Sequence, residues 1–354
     1  MDFNKKPPQI LPVQSAKCNK QTADTGSWPL AQTETEKAAK MELKKAPQNI
    51  KPNPNAFMDI AFEQLMQRLN SKNNKLKLVL FICYGHGGID QPNQPAPNDY
   101  ITYRESKAKL YNHAQRDADG KVIFVNGKQV LKEYKGAPAK FHNNGYFYEG
   151  VENRIYAAAL VEAMQPLIDS GELMIINVAH EVLDTPLQQR VDFANKIHAE
   201  IQAYNKGKKQ ENRIATHYHS IHFNAANTQA QGICIFTSEG KTKSDEVADA
   251  IYKELGAHFP NHKLGRKIAS IRTEQSPDGD PDLEKDFFVL VRTLSTTTLG
   301  ELGFFDNFEE ACLIHYNSDY KMRIALCHAY AFARYFRLNF ALLPPMPTGL
   351  FVPS

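Results

Sequence analysis

The chain has 354 residues, enough for one large core or two small ones, and 42% of them are hydrophobic, as in an ordinary soluble globular protein. A net charge of +3 and a pI near 8.4 are too mild to argue for a nucleic-acid partner, though they suit an anionic surface. No apolar run approaches the ~20 residues of a membrane span, and mean hydropathy is −0.48.

Residues 1–54 are rich in Pro, Lys, Gln, Asn and Thr, a composition that predicts a disordered arm. The first residues lack the apolar core and small-residue cleavage site of a signal peptide, so we expect a protein made in the cytoplasm that leaves by another route if it acts outside. From Asn55 the pattern changes. Phe57, Ile60, Ala61, Leu65 and Leu69 recur at helical spacing and predict a helix. Leu78 to Cys83 is a short apolar run that stops at Gly85-His86-Gly87-Gly88, which predicts a buried strand ending in a tight turn. His86 is then expected at the C-terminal edge of a central strand, where open α/β sheets place their sites.

Residues 91–145 are polar and irregular and read as a long insertion. Within it, Lys121 to Leu131 alternates around Asn126-Gly127 and predicts a β-hairpin that shapes a groove. Val151, Ile155, Ala158, Ala159 and Ala163 then fit one helix face, closed by Ser170-Gly171. Leu173 to Glu181 predicts a strand, and Pro186 opens a helix that runs through Ala203. Ile214 to Ala225 and the stretch GICIFTSE predict strands, Asp245 to Phe259 a helix, FFVLVRTLS and TTLGELGF two more strands, and Tyr320 to Phe340 a closing helix. This alternation predicts an α/β three-layer sandwich: a mostly parallel sheet of about six strands flanked by helices, plus the hairpin insertion. The domain spans 55–337, followed by a tail at 338–354. The five cysteines (Cys18, Cys83, Cys234, Cys312, Cys327) form no close pairs and read as reduced core residues.

Four positions beside strand ends or turns stand out: His86, Glu149, His222 and Glu301. Two imidazoles and one carboxylate suit a catalytic zinc site with an open position for water, and a second carboxylate can move that water's proton. Each has a plainer reading. Glu149 precedes a helix, whose dipole favours a carboxylate there in any case. The strand at 214–225 offers either His217 with His219 on one face or His222 with Ser220 on the other, and His222 is nearer the C-terminal end. Glu301, between Gly300 and Gly303, is costly to bury without a compensating partner.

These stretches together resemble the zinc-dependent N-acetylmuramoyl-L-alanine amidases of the amidase-3 family. The resemblance rests on HGGID at His86 to Asp90, YEGVENR with Glu149 and Asn153, SIHFNA at Ser220 to Ala225, and ELGFFDN at Glu301 to Asn307. A lesser match is the run Asp184, Arg190 and Asn195. The resemblance covers roughly residues 75 to 337, with the motifs in family order. Departures are the long insertion before Glu149, and Glu152, three residues on, which could exchange roles with it.

What the resemblance implies is a peptidoglycan hydrolase that cleaves the amide between N-acetylmuramic acid and L-alanine. His86, Glu149 and His222 would hold Zn2+, Glu301 would move the proton, and Asn224 and Ser220 would meet the substrate or orient the metal ligands. With the missing export signal it suggests a phage or prophage lysin. Competing readings are a zinc peptidase on another peptidoglycan bond, a non-catalytic wall or virion protein on this scaffold, and core histidines in an unrelated α/β enzyme.

Overall fold

The protein is described by a computed structural model over residues 56–88, 109–142, 145–180, 183–267, 279–349 and 351. The N-terminal arm, Cys18, Asp90 and the first part of the insertion lie outside the described residues. In chain order, α1 (Ala56–Leu69) leads into β1 (Leu78–Tyr84). The insertion holds β2 (Leu110–Asn112), β3 (Phe124–Val125), β4 (Lys128–Gln129), β5 (Glu133–Tyr134), β6 (Ala137–Pro138) and β7 (Tyr146–Tyr148). Then follow α2 (Glu149–Asp169), β8 (Leu173–Asn177), α3 (Leu187–Asn205), β9 (Ala215–Asn224), β10 (Cys234–Thr237) and α4 (Lys243–His258). The chain continues through β11 (Leu283–Glu284), α5 (Phe288–Arg292), β12 (Thr296–Phe304), α6 (Phe308–Tyr316) and α7 (Ser318–Tyr335).

The central sheet has six strands in the order β11-β10-β12-β9-β1-β8. All neighbours are parallel except the β10–β12 pair. β1 is apolar throughout because both its faces are covered. Its Leu78, Leu80 and Ile82 pack with Leu160 and Leu167 of α2, Val247 and Ile251 of α4 and Phe332 of α7. The alternate residues Val79, Phe81 and Cys83 pack with Met58 and Leu65 of α1 and Val191 and Ile197 of α3. Each fully buried side chain of this kind contributes about 1.5–3 kcal/mol, so the strand's period-two alternation fixes the three layers. Cys83, Cys234, Cys312 and Cys327 are buried and free. Among the described residues, no helix is long and apolar enough to cross a membrane.

The order β12-β9-β1 places three parallel strands side by side. Their C-terminal ends therefore emerge on one edge, and those ends carry Glu301, His222 and the Gly85-His86 turn.

The insertion contains two small hairpins rather than one. β3 and β4 join at Asn126-Gly127, as expected, and β5 and β6 join at Lys135-Gly136. Both pairs of turn residues have positive φ (51° and 74°, then 50° and 79°), the backbone of a type I′ turn. The insertion returns to the domain through β2 and β7, which pair antiparallel with Leu110 opposite Tyr148. Phe147 then stacks on Phe305 at 5.7 Å, and His113 Nε2 lies 2.7 Å from the carbonyl of Phe305.

One expected strand is a helix. FFVLVRTLS forms α5, in which adjacent Val289 and Leu290 are buried and Val291 is exposed. A short apolar run does not distinguish strand from helix by itself. Asn195 secures the end of this turn: its amide donates to the carbonyl of Arg292 at 2.9 Å, and its oxygen accepts from the N–H of Leu294 at 2.8 Å.

His217 and His219 belong to the core. Both His217 nitrogens contact threonine hydroxyls, Thr296 at 2.9 Å and Thr298 at 3.0 Å. His219 meets Thr298 at 2.9 Å and packs against His328, which hydrogen-bonds the carbonyl of Ile324. Burial pushes His217 down to about 3 and His328 to about 4. The unfolded chain takes up a proton on each near pH 6.5 and the folded chain does not. Each therefore costs stability as pH falls from 6.5 toward the folded value. His328→Gln removes one such group, so its unfolding free energy should depend less steeply on pH than the wild type's between 6.5 and 4. The difference in slope should reach about 1.4 kcal/mol per pH unit, read from urea unfolding across that range. Parallel curves would mean His328 is already protonated in the fold.

Candidate metal centre

The site is built on the turn after β1. His86 has a φ of 59°, a left-handed conformation that costs a non-glycine residue energy and persists only where neighbours impose it. The second turn of α2 does so here. Asn153 donates its side-chain amide to the carbonyl of Gly85 at 2.7 Å, and Arg154 donates to the carbonyl of His86 at 3.2 Å. Gly85 is required for a different reason: a Cβ there would lie 1.9 Å from Cε1 of His222, so the ring packs directly on the glycine backbone.

Glu149 is the first residue of α2 and is fully buried. Its Oε1 faces both imidazoles, 3.0 Å from His222 Nδ1 and 3.4 Å from His86 Nε2. It also accepts from the backbone N–H of Phe223 at 3.3 Å. The two rings lie nearly perpendicular, with centroids 5.3 Å apart. The other His222 nitrogen, Nε2, is 3.1 Å from Ser220 Oγ. Ser220 is only 1% exposed. The three ligating atoms of His86, Glu149 and His222 lie within 4.8 Å of one another. Two imidazoles and a carboxylate oxygen converging on one point could hold a metal ion.

The electrostatics fit a missing positive charge. Burial would raise the pKa of Glu149, but the hydrogen bond from His222 and the charges of His86, His222 and Lys109 hold it below the ordinary range. Burial lowers His86 to about 4 despite the pull of Glu149, so its imidazole is neutral near pH 7. Glu301 sits opposite His222 in the β9–β12 register. Burial, and then the charge of Glu149, push its pKa well above the usual carboxylate range. Its Oε2 is buried without a hydrogen-bond partner. Asn224, half-buried at the end of β9, accepts from the N–H of Ala225 at 2.8 Å through its side-chain oxygen.

Glu152 goes elsewhere. Its Oε1 is 2.8 Å from His142 Nε2 and 2.5 Å from His315 Nδ1, the second group of three ligating atoms among the described residues. The N–H of Tyr148 donates to His142 Nδ1 at 3.1 Å. That leaves Nε2 as the protonated nitrogen, pointing at the carboxylate. A neutral histidine in this tautomer has no lone pair to offer there. The cluster is a clasp between the insertion, α2 and α6, made of the hydrogen bond between His315 and Glu152 and the close contact of His142 with the same oxygen.

Of the lesser motif, Arg190 is buried and donates to the carbonyls of Thr185 and Tyr84 at 2.6 and 3.2 Å and to Asp184 at 2.6 Å. It ties α3 to the end of β1. Arg292 is exposed at the end of α5. Sequence reasoning passed over Lys109, Arg154, His142 and His315. None of them is marked by a local pattern: Arg154, five residues beyond Glu149, does not share its helix face.

The chain matches the amidase-3 family, described as N-acetylmuramoyl-L-alanine amidase, over residues 80–331. Among solved structures it is similar to an N-acetylmuramoyl-L-alanine amidase from Clostridium difficile 630, at 17% identity and a TM-score of 0.44 over 74% of this chain and 98% of that one. It is also similar to the catalytic domain of CwlV from Bacillus (Paenibacillus) polymyxa var. colistinus, at 16% identity and a TM-score of 0.42 over 74% of this chain and 99% of that one. A third is Ami1 from Mycobacterium smegmatis, at 12% identity and a TM-score of 0.44 over 75% of this chain and 99% of that one. No curated protein matches the chain.

The Gly85 contact yields a direct test. Gly85→Ala should displace the His222 ring and weaken zinc binding about 10-fold or more, with the far-ultraviolet circular dichroism unchanged. Chelator competition on the purified variant measures it. Unaltered zinc affinity would mean His222 is not held at the metal by this contact.

Proposed function

We propose a specific reaction for this chain, which belongs to the amidase-3 family of N-acetylmuramoyl-L-alanine amidases: zinc-dependent hydrolysis of the amide between the lactyl group of N-acetylmuramic acid and the L-alanine of the stem peptide. Family membership makes the chain a peptidoglycan amidase. The metal, its ligands and the part given to Glu301 are our reading. The observation that supports it best is the convergence of His86, Glu149 and His222 on one point, with a high-pKa carboxyl one strand away.

His86 Nε2, His222 Nδ1 and Glu149 Oε1 would hold the ion. When bound, zinc supplies a Lewis acid for the lactyl carbonyl and makes water acidic enough to attack near neutral pH. The remaining steps belong to the protein. With the ion bound, Ser220, 3.1 Å from His222 Nε2, would accept from Nε2–H and leave Nδ1 free to ligate. Glu301 takes the proton from the attacking water and delivers it to the alanine nitrogen as the C–N bond breaks. An amine leaves poorly unless protonated, and the proton that Glu301 takes from water can be returned to it. A buried carboxyl with a raised pKa takes up a proton readily and returns it when the nitrogen becomes basic. Asn224, at the rim of the site, is the side chain we place against the substrate.

The experiment is digestion of purified peptidoglycan followed by end-group analysis. The expected products are new N-terminal L-alanine and no new reducing sugar ends. Release of a different amino terminus would assign the zinc centre to another bond. Glu301→Gln should keep wild-type zinc content and lose about 10²–10⁴-fold in kcat. A variant with full activity would remove Glu301 from the reaction.

A further inference from the structure

We propose that Lys109 is a positioning residue of this centre: it occupies one oxygen of Glu149 so that the other alone faces the two imidazoles. The inference rests on the metal reading above. The carboxylate is divided in the structure. Oε1 has His222, His86 and the N–H of Phe223 around it, while Oε2 lies 2.9 Å from Lys109 Nζ. The contact is an ion pair by distance, with an angle outside hydrogen-bond geometry.

Three other features put the lysine there. Its carbonyl accepts from the N–H of Glu149 at 2.9 Å, so its backbone docks on the first residue of α2. Its φ of 49° is one that lysine seldom adopts, and turns the chain into β2 where Leu110 pairs with Tyr148. Its ammonium also lies 5.1 Å from the centroid of Phe305, a cation–π contact just beyond β12. An ammonium merely attracted to a nearby acid would not need its backbone fixed at both ends of the contact.

The consequence concerns coordination number. Two imidazole nitrogens and one carboxylate oxygen fill three positions of a tetrahedral ion and leave the fourth for water. A carboxylate free to use both oxygens fills that fourth position. By engaging Oε2, Lys109 keeps the position open.

The probe is Co2+ in place of zinc, since the intensity of its visible bands falls when the ion goes from four to five ligands. Wild-type protein should give the intense four-coordinate spectrum. Lys109→Met should still bind one equivalent, with weaker bands and kcat reduced about 10- to 100-fold at little change in KM. Lys109→Arg should restore both, because a guanidinium can hold the same oxygen. Circular dichroism checks that each variant folds. A methionine variant with the wild-type spectrum and kcat overturns the inference, as does a folded variant of either kind that no longer binds the ion. Wild-type protein that takes up no Co2+ overturns the metal reading itself, and this inference with it.

Discussion

Glu149 is the constraint around which the domain is arranged. A fully buried, ionised carboxylate costs several kcal/mol unless charge and hydrogen bonds compensate it. Here it begins a helix, where the dipole helps, and it receives one backbone N–H and the edge of one imidazole. Its formal counter-charge is a single lysine with a half-exposed side chain. Burial lowers the pKa of His86 beside it. A divalent ion between Oε1, His86 and His222 would add positive charge at that oxygen. The left-handed turn at His86, the glycine beneath the His222 ring and the Asn153 and Arg154 hydrogen bonds all follow from bringing three chain segments to that one oxygen.

Two glutamates one helical turn apart meet two histidines each, yet only one pair forms a candidate metal centre. The difference lies in the far nitrogen of each ring. His222 presents its far nitrogen to a serine hydroxyl, which can donate or accept, so its near nitrogen can give up its proton to the far one when a metal binds. His142 receives a backbone N–H on its far nitrogen, which forces the proton onto the near one. His222 can thus turn a lone pair toward its carboxylate, and neutral His142 cannot. Glu152 in turn anchors the end of the insertion, and β7 carries that anchorage directly into Glu149.

Much of this was legible in the sequence because the parallel sheet leaves strong local marks. Apolar runs ended by glycine, and helices opened by proline or closed by Ser-Gly, are decided by neighbours in the chain. His86, Glu149, His222 and Glu301 sit at such boundaries, so their types and positions could be read together. What was not legible depends on distant partners. FFVLVRTLS reads as a strand until Asn195, nearly a hundred residues earlier in the chain, is seen gripping its end. The second hairpin turn, Lys135-Gly136, is a weaker signal than Asn-Gly because lysine rarely adopts the required positive φ. Lys109 is one lysine in a polar insertion, and its partner lies 40 positions on. No local pattern distinguishes it from the lysines around it.

The insertion explains why a strained backbone at Lys109 is tolerated. A compact connection from His86 to Glu149 would reach the helix without passing beside the carboxylate's second oxygen. The long route ends instead in an antiparallel pair, β2 with β7, whose register sets residue 109 against residue 149. Phe147 stacked on Phe305 and His113 against the carbonyl of Phe305 lock that pair to the segment following β12. The same segment begins where Glu301's strand ends. Glu149, Glu301 and Lys109 are thus joined by one small set of packed rings. A change in the insertion's packing would reach the site through the orientation of Glu149.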